Sequence, residues 1–287
     1  MKSKNIIRMK IKTFGKGSFL LGILNLALLV LFTSCATDDT QTVARFTELV
    51  MAEEFDQEGA PNPAIWGFDI GTGQNGWGNN ELQYYTNRTE NVKVENGVLL
   101  ITAIKEDFNG SSYTSARLLT KGKFEQKYGR FEARIRLPSG KGMWPAFWLI
   151  GSNIDEVGWP YCGEIDIMEN AGSAPTIVSG AVHGPGYSGG SPIFKEYDLV
   201  NDRFDTGFHI FGIEWGPEYI NYYIDDVLYN QVTPDDANGE WVFDKGPFFI
   251  IINLAVGGLF DGPPNSETVF PQSMLVDYVR VYKSSNN

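Results

Sequence analysis

Three acidic residues lie within six positions of an apolar stretch, GEIDIMEN, at residues 163–170. Because side chains alternate between the two faces of a strand, Glu164 and Asp166 would share one face and Glu169 would lie on the other. One surplus residue, a β-bulge at Ile167-Met168, would return Glu169 to the face of the other two. We therefore predict a bulged strand that carries three carboxylates in one row.

Two close carboxylates with different pKa values can hydrolyse a glycosidic bond. One donates a proton to the leaving oxygen, and the other attacks the sugar or activates water. In a retaining enzyme the two groups lie about 5–5.5 Å apart, a spacing that the bulge brings within reach of Glu164 and Glu169. A metal site and an acidic turn are the alternatives. Calcium sites use flexible loops rich in Gly, Asn and Asp, and EIDIME is too apolar for such a loop.

A second unusual strand is GMWPAFWLIG, at residues 142–151, in which Trp144 and Trp148 share a face. The opposite face of this strand is already fully apolar, and a sheet of a sandwich has only one face in the core. We therefore predict that the two indoles line a groove, where their rings can stack on the C–H faces of sugars. Packing of the pair in the core is the alternative.

The elements around these two strands have the pattern of an all-β fold. The chain has 287 residues, 43% of them hydrophobic and 14% aromatic, which is enough for one large β-domain or two ordinary ones. Residues 129–137 alternate strictly between apolar and charged, Asn96-Gly97 is a hairpin signal, and Asp225-Asp226 is a turn. Residues 248–258 form an apolar run suited to a strand buried on both faces. These short strands predict a sandwich of two sheets.

The N-terminus has the composition of an export signal. A basic segment precedes an apolar run at residues 19–32, which is shorter than the roughly 20 residues of a spanning helix. The run ends near Cys35, and the sequence there resembles a bacterial lipobox, in which the Cys is lipidated. Phe32 departs from that pattern, since Leu is usual at its position. Ordinary secretion with cleavage nearby is the alternative.

The chain is therefore predicted to have three parts. Residues 1–34 would be the signal peptide, residues 35–48 a flexible tether, and residues 49–285 a single catalytic domain. The protein would be lipid-anchored at the outer membrane or the cell surface of a Gram-negative bacterium, and otherwise secreted. The membrane would be contacted only through the lipid.

The mature chain would be strongly acidic. Residues 1–34 hold six Lys and Arg and no Asp or Glu, which leaves 17 basic and 35 acidic residues and a net charge of −18. Such a surface repels nucleic acid, anionic lipid and sulfated polymers, so we expect no nucleic-acid partner and a neutral substrate. Plain solubility is the alternative, and charge alone favours it. With Cys35 lipidated, Cys162 has no disulfide partner. We expect its thiol to be a small buried side chain, and a Cys–His nucleophile is the alternative.

These residues resemble a known family, glycoside hydrolase family 16. GEIDIMEN matches its E-x-D-x-x-E signature, which is the bulged form of the motif. Six further stretches resemble its laminarinase branch: EEFD (53–56), WGNNELQYYT (77–86), SARLLTKGKFEQKYGRFEARIRLPSGKGMWPAFWLIG (115–151), VSGAVHGPGY (178–187), FHIFGIEW (208–215) and IINLAVGG (251–258). The resemblance implies a β-jelly-roll of two curved antiparallel sheets with a concave cleft for a β-glucan. It also implies a retaining endo-hydrolase that acts on β-1,3-glucan of the laminarin type.

The resemblance also implies roles for individual residues. Glu164 would be the nucleophile, Glu169 the general acid/base, and Asp166 a hydrogen-bond partner of the nucleophile. His183 resembles a His near the acid/base end of the cleft. The residues implied to bind substrate are Asn79, Arg117, Trp144, Trp148, Trp159, His183, Trp215 and Asn253.

No cofactor is expected for catalysis, but the family often carries one structural Ca²⁺ on the convex side. Glu54, the backbone carbonyl of Gly97 and Asp277 stand at the matching places, although the two acids could simply be surface residues. The protein is expected to be a monomer.

Several alternatives share this family or fold. Mixed-linkage β-1,3-1,4-glucan is a second substrate, whereas the acidic surface disfavours sulfated galactans. A glucan-binding protein would lack the catalytic carboxylates, and both Glu164 and Glu169 are present. Transglycosylation uses the same covalent intermediate as hydrolysis, and the sequence does not separate the two.

Overall fold

Apolar residues at every second position build most strands of this protein. The computed structural model describes residues 45–285. The strands are β1 (Phe46–Glu53), β2 (Gly67–Phe68), β3 (Gln83–Tyr85), β4 (Val92–Glu95), β5 (Val98–Phe108), β6 (Ser111–Ser115), β7 (Arg117–Leu119), β8 (Gly129–Arg136), β9 (Met143–Gly151), β10 (Glu164–Glu169), β11 (Ile177–His183), β12 (Ile193–Asp198), β13 (His209–Gly216), β14 (Tyr219–Ile224), β15 (Val227–Val232), β16 (Phe248–Val256) and β17 (Gln272–Ser284). The helical segments are short: a π-type turn (Gly76–Asn80), α1 (Ile154–Val157), a 3₁₀ turn (Pro234–Asp236) and α2 (Gly258–Asp261).

The strands form two sheets. The larger sheet has the order β15-β14-β13-β8-β17-β5-β6-β3, with β1 also paired to β17 and β4 to β5. The smaller sheet has the order β12-β11-β10-β9-β16-β7-β2. Described neighbours pair in antiparallel fashion, except for the parallel pair β3 and β6. The predicted all-β sandwich of two sheets is confirmed.

Two predicted turns join their strands as expected. Asn96 and Gly97 link β4 to β5 with φ of 55° and 74°, the left-handed conformation that Asn-Gly favours. Asp225 and Asp226 link β14 to β15 with φ of 48° and 63°. These turns set the register of two hairpins in the larger sheet.

The core lies between the sheets. Phe131, Ala133 and Ile135 of β8 point into it and are fully buried, as their alternation predicts. Every residue of β16 is buried, so this strand is covered on both faces as expected. β16 is an interior strand of the smaller sheet, between β9 and β7, and pairs directly with the strand that carries the two tryptophans.

Cys162 belongs to a small second cluster beside that sheet. Its side chain is buried and packs with Ile150, Phe249 and Ile251. Burial, with the nearby charge of Glu164, raises the pKa of the thiol to about 11. The predicted burial of Cys162 is confirmed. A thiol that holds its proton this tightly is a poor nucleophile.

The predicted bulge is present in β10. Asp166 lies opposite Trp148 of β9, and the next paired residue of β10 is Met168. Ile167 has no opposite residue, and the pairing with β11 shifts in the same interval. Ile167 and Met168 both enter the core, which leaves Glu169 free to face the other way. One surplus residue in β10 therefore turns Glu169 to the face that carries Glu164 and Asp166.

The predicted export signal, Cys35 and the tether as far as residue 44 lie outside the described residues. β1 begins at Phe46, within the range predicted as tether. Within residues 45–285, no helix has the length and apolar character needed to cross a membrane.

Candidate active site

A cleft of about 750 Å³ opens over the smaller sheet. The three acids of β10 and the two tryptophans of β9 line this cleft. The predictions that these side chains share a row and face a groove are confirmed. The other predicted site residues that line it are Asn79, Arg117, Trp159, His183 and Asn253. β9, β10, β11, β16 and β7 run side by side at this point, which places residues distant in the chain around one space.

The acids of β10 hold their protons far more tightly than acids in water. Burial raises the pKa of Glu164, Asp166 and Glu169 to about 8 each. The charge of Asp166 adds to this effect at both glutamates. Because each ionised carboxylate disfavours the next, the row carries fewer than three charges at neutral pH. It can therefore present an acid and a carboxylate at the same time.

His183 lies against the Glu164 end of the row. Its Nε2 is 3.1 Å from Asp166 Oδ2 and 3.8 Å from Glu164 Oε1. In the pairing of β10 with β11, His183 is opposite Glu164, whereas Ser179 is opposite Glu169. The expected position of His183 near the acid/base end is therefore wrong. The antiparallel register, which the sequence does not display, decides which acid the His meets.

The same three groups form the one cluster of His, Cys, Asp and Glu in residues 45–285 with metal-binding spacing. The ligand atoms of Glu164, Asp166 and His183 all lie within 4.8 Å of one another. Both carboxylates belong to the acid row, so a cation bound there would occupy two of the three acids of the row.

Trp144 is joined directly to Glu169. Its Nε1–H donates a hydrogen bond to Glu169 Oε1 at 2.9 Å. Its ring stacks on Phe260 of α2, with centroids 5.2 Å apart and planes 19° apart. This stack fixes the indole, and the indole in turn orients the carboxyl group. Phe260 did not stand out in the sequence, because it lies in a four-residue helix and not on a patterned strand.

Arg117 lies over two indoles. Its guanidinium carbon is 4.7 Å from the ring centroid of Trp77 and 4.8 Å from that of Trp148. Its Nε is 2.9 Å from Asp69 Oδ2, which keeps the charge paired. Trp77, which sequence reasoning missed, therefore belongs to the cleft wall with Arg117 and Trp148. Its place in WGNNELQYYT was the available signal.

Asn253 and Asn79 reach the cleft through hydrogen bonds to other residues. Asn253 is buried, and its Oδ1 accepts the indole N–H of Trp148 at 2.8 Å. Asn79 Nδ2 donates to Glu81 Oε1 at 3.4 Å. Glu81 is a fourth carboxylate of the cleft lining, and sequence reasoning did not single it out.

Exposed apolar side chains form the rim. Trp159 is 45% exposed, and its ring centroid is 6.0 Å from that of His183. Phe194 of β12 and Leu259 of α2 are also exposed and line the cleft. Exposed apolar surface gathered in a groove is typical of a ligand-binding site. The sequence alone did not mark Phe194 and Leu259 as cleft residues, because only the folded chain brings them to the same groove.

Trp215 is not in the cleft, so its predicted role in substrate binding is wrong. It is fully buried in β13 of the larger sheet. Its ring packs edge-on against Tyr128 and Phe248, at centroid distances of 5.2 Å and 5.0 Å. Phe211 and Ile213 alternate with it on the same face of β13 and are also buried, so the whole face belongs to the core.

The residues suggested for calcium do not offer a ligand set as they stand. The carboxylate of Glu54 accepts two hydrogen bonds from Arg280, at 2.7 Å and 2.8 Å. Asp277 Oδ2 accepts one from Arg134 at 2.6 Å. Each acid is already neutralised by an arginine, and a cation would have to displace these bonds.

Comparison with known proteins agrees with this geometry. The model of the glycosyl hydrolases family 16 matches residues 79–280. A beta-glucanase of Rhodothermus marinus is 42% identical over 95% of this chain and 96% of its own length. A glucan endo-1,3-beta-glucosidase of Cryptopygus antarcticus is 40% identical over 75% of this chain and 85% of its own length. The laminarinase catalytic domain of Thermotoga maritima superposes with a TM-score of 0.80 and 50% identity, over 84% of this chain and 100% of that domain. The chain therefore belongs to glycoside hydrolase family 16, and it is a glycoside hydrolase with a β-jelly-roll fold.

Proposed function

We propose that the protein hydrolyses internal bonds of a neutral β-1,3-glucan of the laminarin type, with retention of configuration. The observation that carries this proposal is the bulge at Ile167, which brings three carboxylates to one face of the cleft. The similarity to a glucan endo-1,3-beta-glucosidase and to a laminarinase supports the choice of substrate.

In the first step Glu169 acts as the acid and Glu164 as the nucleophile. The raised pKa of Glu169 keeps its proton at neutral pH, and that proton moves to the glycosidic oxygen as the bond to the anomeric carbon breaks. A Glu164 oxygen forms a new bond to the anomeric carbon on the opposite side. Burial and the charge of Asp166 raise the pKa of Glu164 to about 8 as well, and the charges of His183 and Arg117 act against that rise. Glu164 must therefore lose its proton before it attacks.

In the second step the roles reverse. Glu169, now a carboxylate, takes a proton from water as the water oxygen bonds to the anomeric carbon. The ester bond to Glu164 breaks, and the sugar leaves with its original configuration. Asp166 is hydrogen-bonded to Glu164 and can share a proton with it, which stabilises the departing carboxylate.

The walls of the cleft suit a neutral sugar chain. Indole rings of Trp144, Trp148 and Trp159 offer flat apolar faces, and Arg117 with the amides offers hydrogen bonds. The net charge of the whole chain is −12, so sulfated polymers are repelled at long range.

The substrate is tested by incubating the mature protein with laminarin, curdlan, lichenan and agarose and separating the products. We expect laminarin to shorten to oligosaccharides before glucose accumulates, and agarose to stay intact. Faster cleavage of lichenan than of laminarin would replace this proposal with a mixed-linkage glucanase. Binding of laminarin without any product would leave a glucan-binding protein.

We further propose that the protein acts as a lipid-anchored monomer, held to the outer membrane through Cys35. The lipobox-like sequence and the polar segment that follows it support the anchor. In a Gram-negative host, the full chain is expected in the membrane fraction and a Cys35→Ser variant in the soluble fraction. Equal distribution of the two proteins would contradict the anchor.

The hydrogen bond from Trp144 predicts a shift in the pH profile. The bond lowers the pKa of Glu169, against the larger effect of burial, because it favours the charged form. In a Trp144→Phe variant the pKa of Glu169 is therefore expected to rise, and the alkaline limb of kcat/KM to move up by about one pH unit. Trp148→Phe is the control, since its indole bonds to Asn253 and not to the acid row. A limb that stays in place or moves down would contradict this coupling.

Calcium binding stays a prediction. The proposed acidic ligands are paired with arginines, which a bound ion would have to displace. If Glu54 and Asp277 bind Ca²⁺ in solution, removal of the ion with EDTA lowers the Tm, and added Ca²⁺ restores it. A Tm that is the same with EDTA and with Ca²⁺ would exclude a stabilising ion.

A further inference from the structure

A chain of hydrogen bonds runs from Glu81 to the cleft wall. Tyr85 donates its hydroxyl proton to Glu81 Oε2, with the oxygens 3.1 Å apart. The Tyr85 oxygen accepts from Asn253 Nδ2 at 3.2 Å, and Asn253 Oδ1 accepts from Trp148 Nε1 at 2.8 Å. Four residues from β3, β16, β9 and the segment before β3 are thus joined in series.

The two ends of this chain fix the direction of every bond in it. An indole N–H can only donate, and an ionised carboxylate can only accept. The hydroxyl of Tyr85 must therefore point to Glu81, and the amide of Asn253 must turn its oxygen to Trp148. Reversing either group would place two donors or two acceptors against each other in a buried site, which is unfavourable.

A second branch starts at the same carboxylate. Glu81 Oε1 accepts from Asn79 Nδ2 at 3.4 Å, so the amide oxygen of Asn79 is left for a ligand in the cleft. Gln83 Nε2 donates to Glu81 Oε2 at 2.7 Å, and Gln83 Oε1 accepts the backbone N–H of Val256. Glu81 is thereby fixed to β16 and can fix Asn79 in turn.

We propose that Glu81 is a positioning residue of the sugar-binding wall, which orients both Asn79 and Trp148 through its two carboxylate oxygens. This inference rests on the proposed function, since the oriented groups would contact the glucan. Glu81 itself would act through other residues and not on the reacting bond.

The site needs a carboxylate at this position, and an amide would not replace it. Both oxygens of Glu81 accept hydrogen bonds, whereas a glutamine offers one acceptor and one donor group. In Glu81→Gln, either the amide of Asn79 or the hydroxyl of Tyr85 would therefore face a donor and would have to rotate away. Burial raises the pKa of Glu81, but the bond from Gln83 and the charge of Arg117 act against that rise.

The first test compares the kinetics of Glu81→Gln and wild type on laminarin. We expect KM to rise about ten-fold and kcat to change less than about two-fold, because the wall binds substrate and transition state alike. The matched control is Glu214→Gln, which also removes a carboxylate that a tyrosine bonds, Tyr223 at 2.9 Å, but on the larger sheet. Its KM is expected to equal that of wild type. An unchanged KM in Glu81→Gln would overturn the proposal.

A second variant separates positioning from direct contact with the glucan. Tyr85→Phe breaks the chain beyond Glu81 while leaving the carboxylate in the cleft. If Glu81 acts through the chain, KM rises in this variant too. A rise in Glu81→Gln with a wild-type KM in Tyr85→Phe would show that Glu81 does not act on substrate binding through Trp148, and the proposal that it orients both groups would fall.

A third readout does not depend on enzymatic activity. In protein with ¹⁵N-labelled tryptophan, Trp148→Phe identifies the indole N–H signal of Trp148 among those of seven tryptophans. In Tyr85→Phe we expect this signal to shift and its proton to exchange faster with water, while the signal of Trp144 stays unchanged. If wild type cleaves no glucan, the proposed function fails, yet the Trp148 signal still tests whether the hydrogen bonds from Glu81 reach Trp148. An unaltered Trp148 signal in Tyr85→Phe would overturn the proposal that Glu81 positions Trp148.

Discussion

Replacing Glu164 with Gln is expected to reduce kcat for laminarin by roughly four orders of magnitude. The amide oxygen is a poor nucleophile, so the bond to the anomeric carbon does not form. Glu169→Gln removes the proton donor instead, and a loss of about 10²–10⁴-fold is expected. Both changes keep the size of the side chain, so the fold is expected to stay intact, as a circular dichroism spectrum would show.

The leaving group of the substrate distinguishes the nucleophile, Glu164, from the acid, Glu169. With an aryl β-glucoside that has a good leaving group, Glu169→Gln is expected to regain its first step, because that step no longer needs a proton. Glu164→Gln is expected to stay inactive on the same substrate. Glu196→Gln is the control, since Glu196 is an exposed acid of β12 in the same sheet. Ordinary turnover by Glu164→Gln would contradict the assignment of the nucleophile.

The same Glu169→Gln variant is expected to be more stable than wild type at pH 8, by about 2–4 kcal/mol in the free energy of unfolding. Burial raises the pKa of Glu169 from an ordinary 4.5 to about 8 in the folded protein. Between these values the folded state keeps a proton that the unfolded state has lost. The stability of wild type therefore falls as the pH rises through this window, whereas a glutamine has no proton to lose.

Unfolding by urea at a series of pH values measures this effect. At pH 4 the acid is protonated in both states, so wild type and Glu169→Gln are expected to have nearly equal stability. The difference is expected to grow up to pH 8 and then to level off. Glu196→Gln again serves as the control, with no pH-dependent gain. A gain that is the same at pH 4 and pH 8 would mean that improved packing, and not the buried charge, is responsible.

The features that could be predicted from the sequence follow local patterns. Alternation along β8 and β9 identified which faces lie in the core and which line the cleft. The positions of Glu164 and Glu169, out of phase by one residue, required the bulge that β10 contains. Each of these predictions depends on the spacing of residues within a single strand.

The errors and omissions depend on contacts between strands. The acid that His183 meets is set by the register of β10 and β11, which no local pattern displays. Phe260 is stacked on Trp144 by the fold, and no local sequence pattern marks it. Trp215 is different, because Phe211, Ile213 and Trp215 alternate in the sequence, a local pattern that favours the core over the cleft.

Glu81 is the clearest example of a residue whose role depends on partners that are distant in the sequence. Glu81, Gln83 and Tyr85 share one face of an extended segment, a pattern that the sequence contains. Their partners Asn253 and Trp148 come from β16 and β9, at distant positions in the chain. The chemical meaning of the carboxylate therefore emerges only from the folded arrangement.

Retention of configuration is the central claim, since it requires the covalent intermediate on Glu164. The direct measurement is a ¹H NMR time course of laminarin hydrolysis, in which the anomeric proton of each new reducing end is followed before mutarotation. A nucleophilic Glu164 predicts that the β-anomer appears first and that the α-anomer follows slowly. Initial formation of the α-anomer would show direct attack by water and would contradict the role of Glu164.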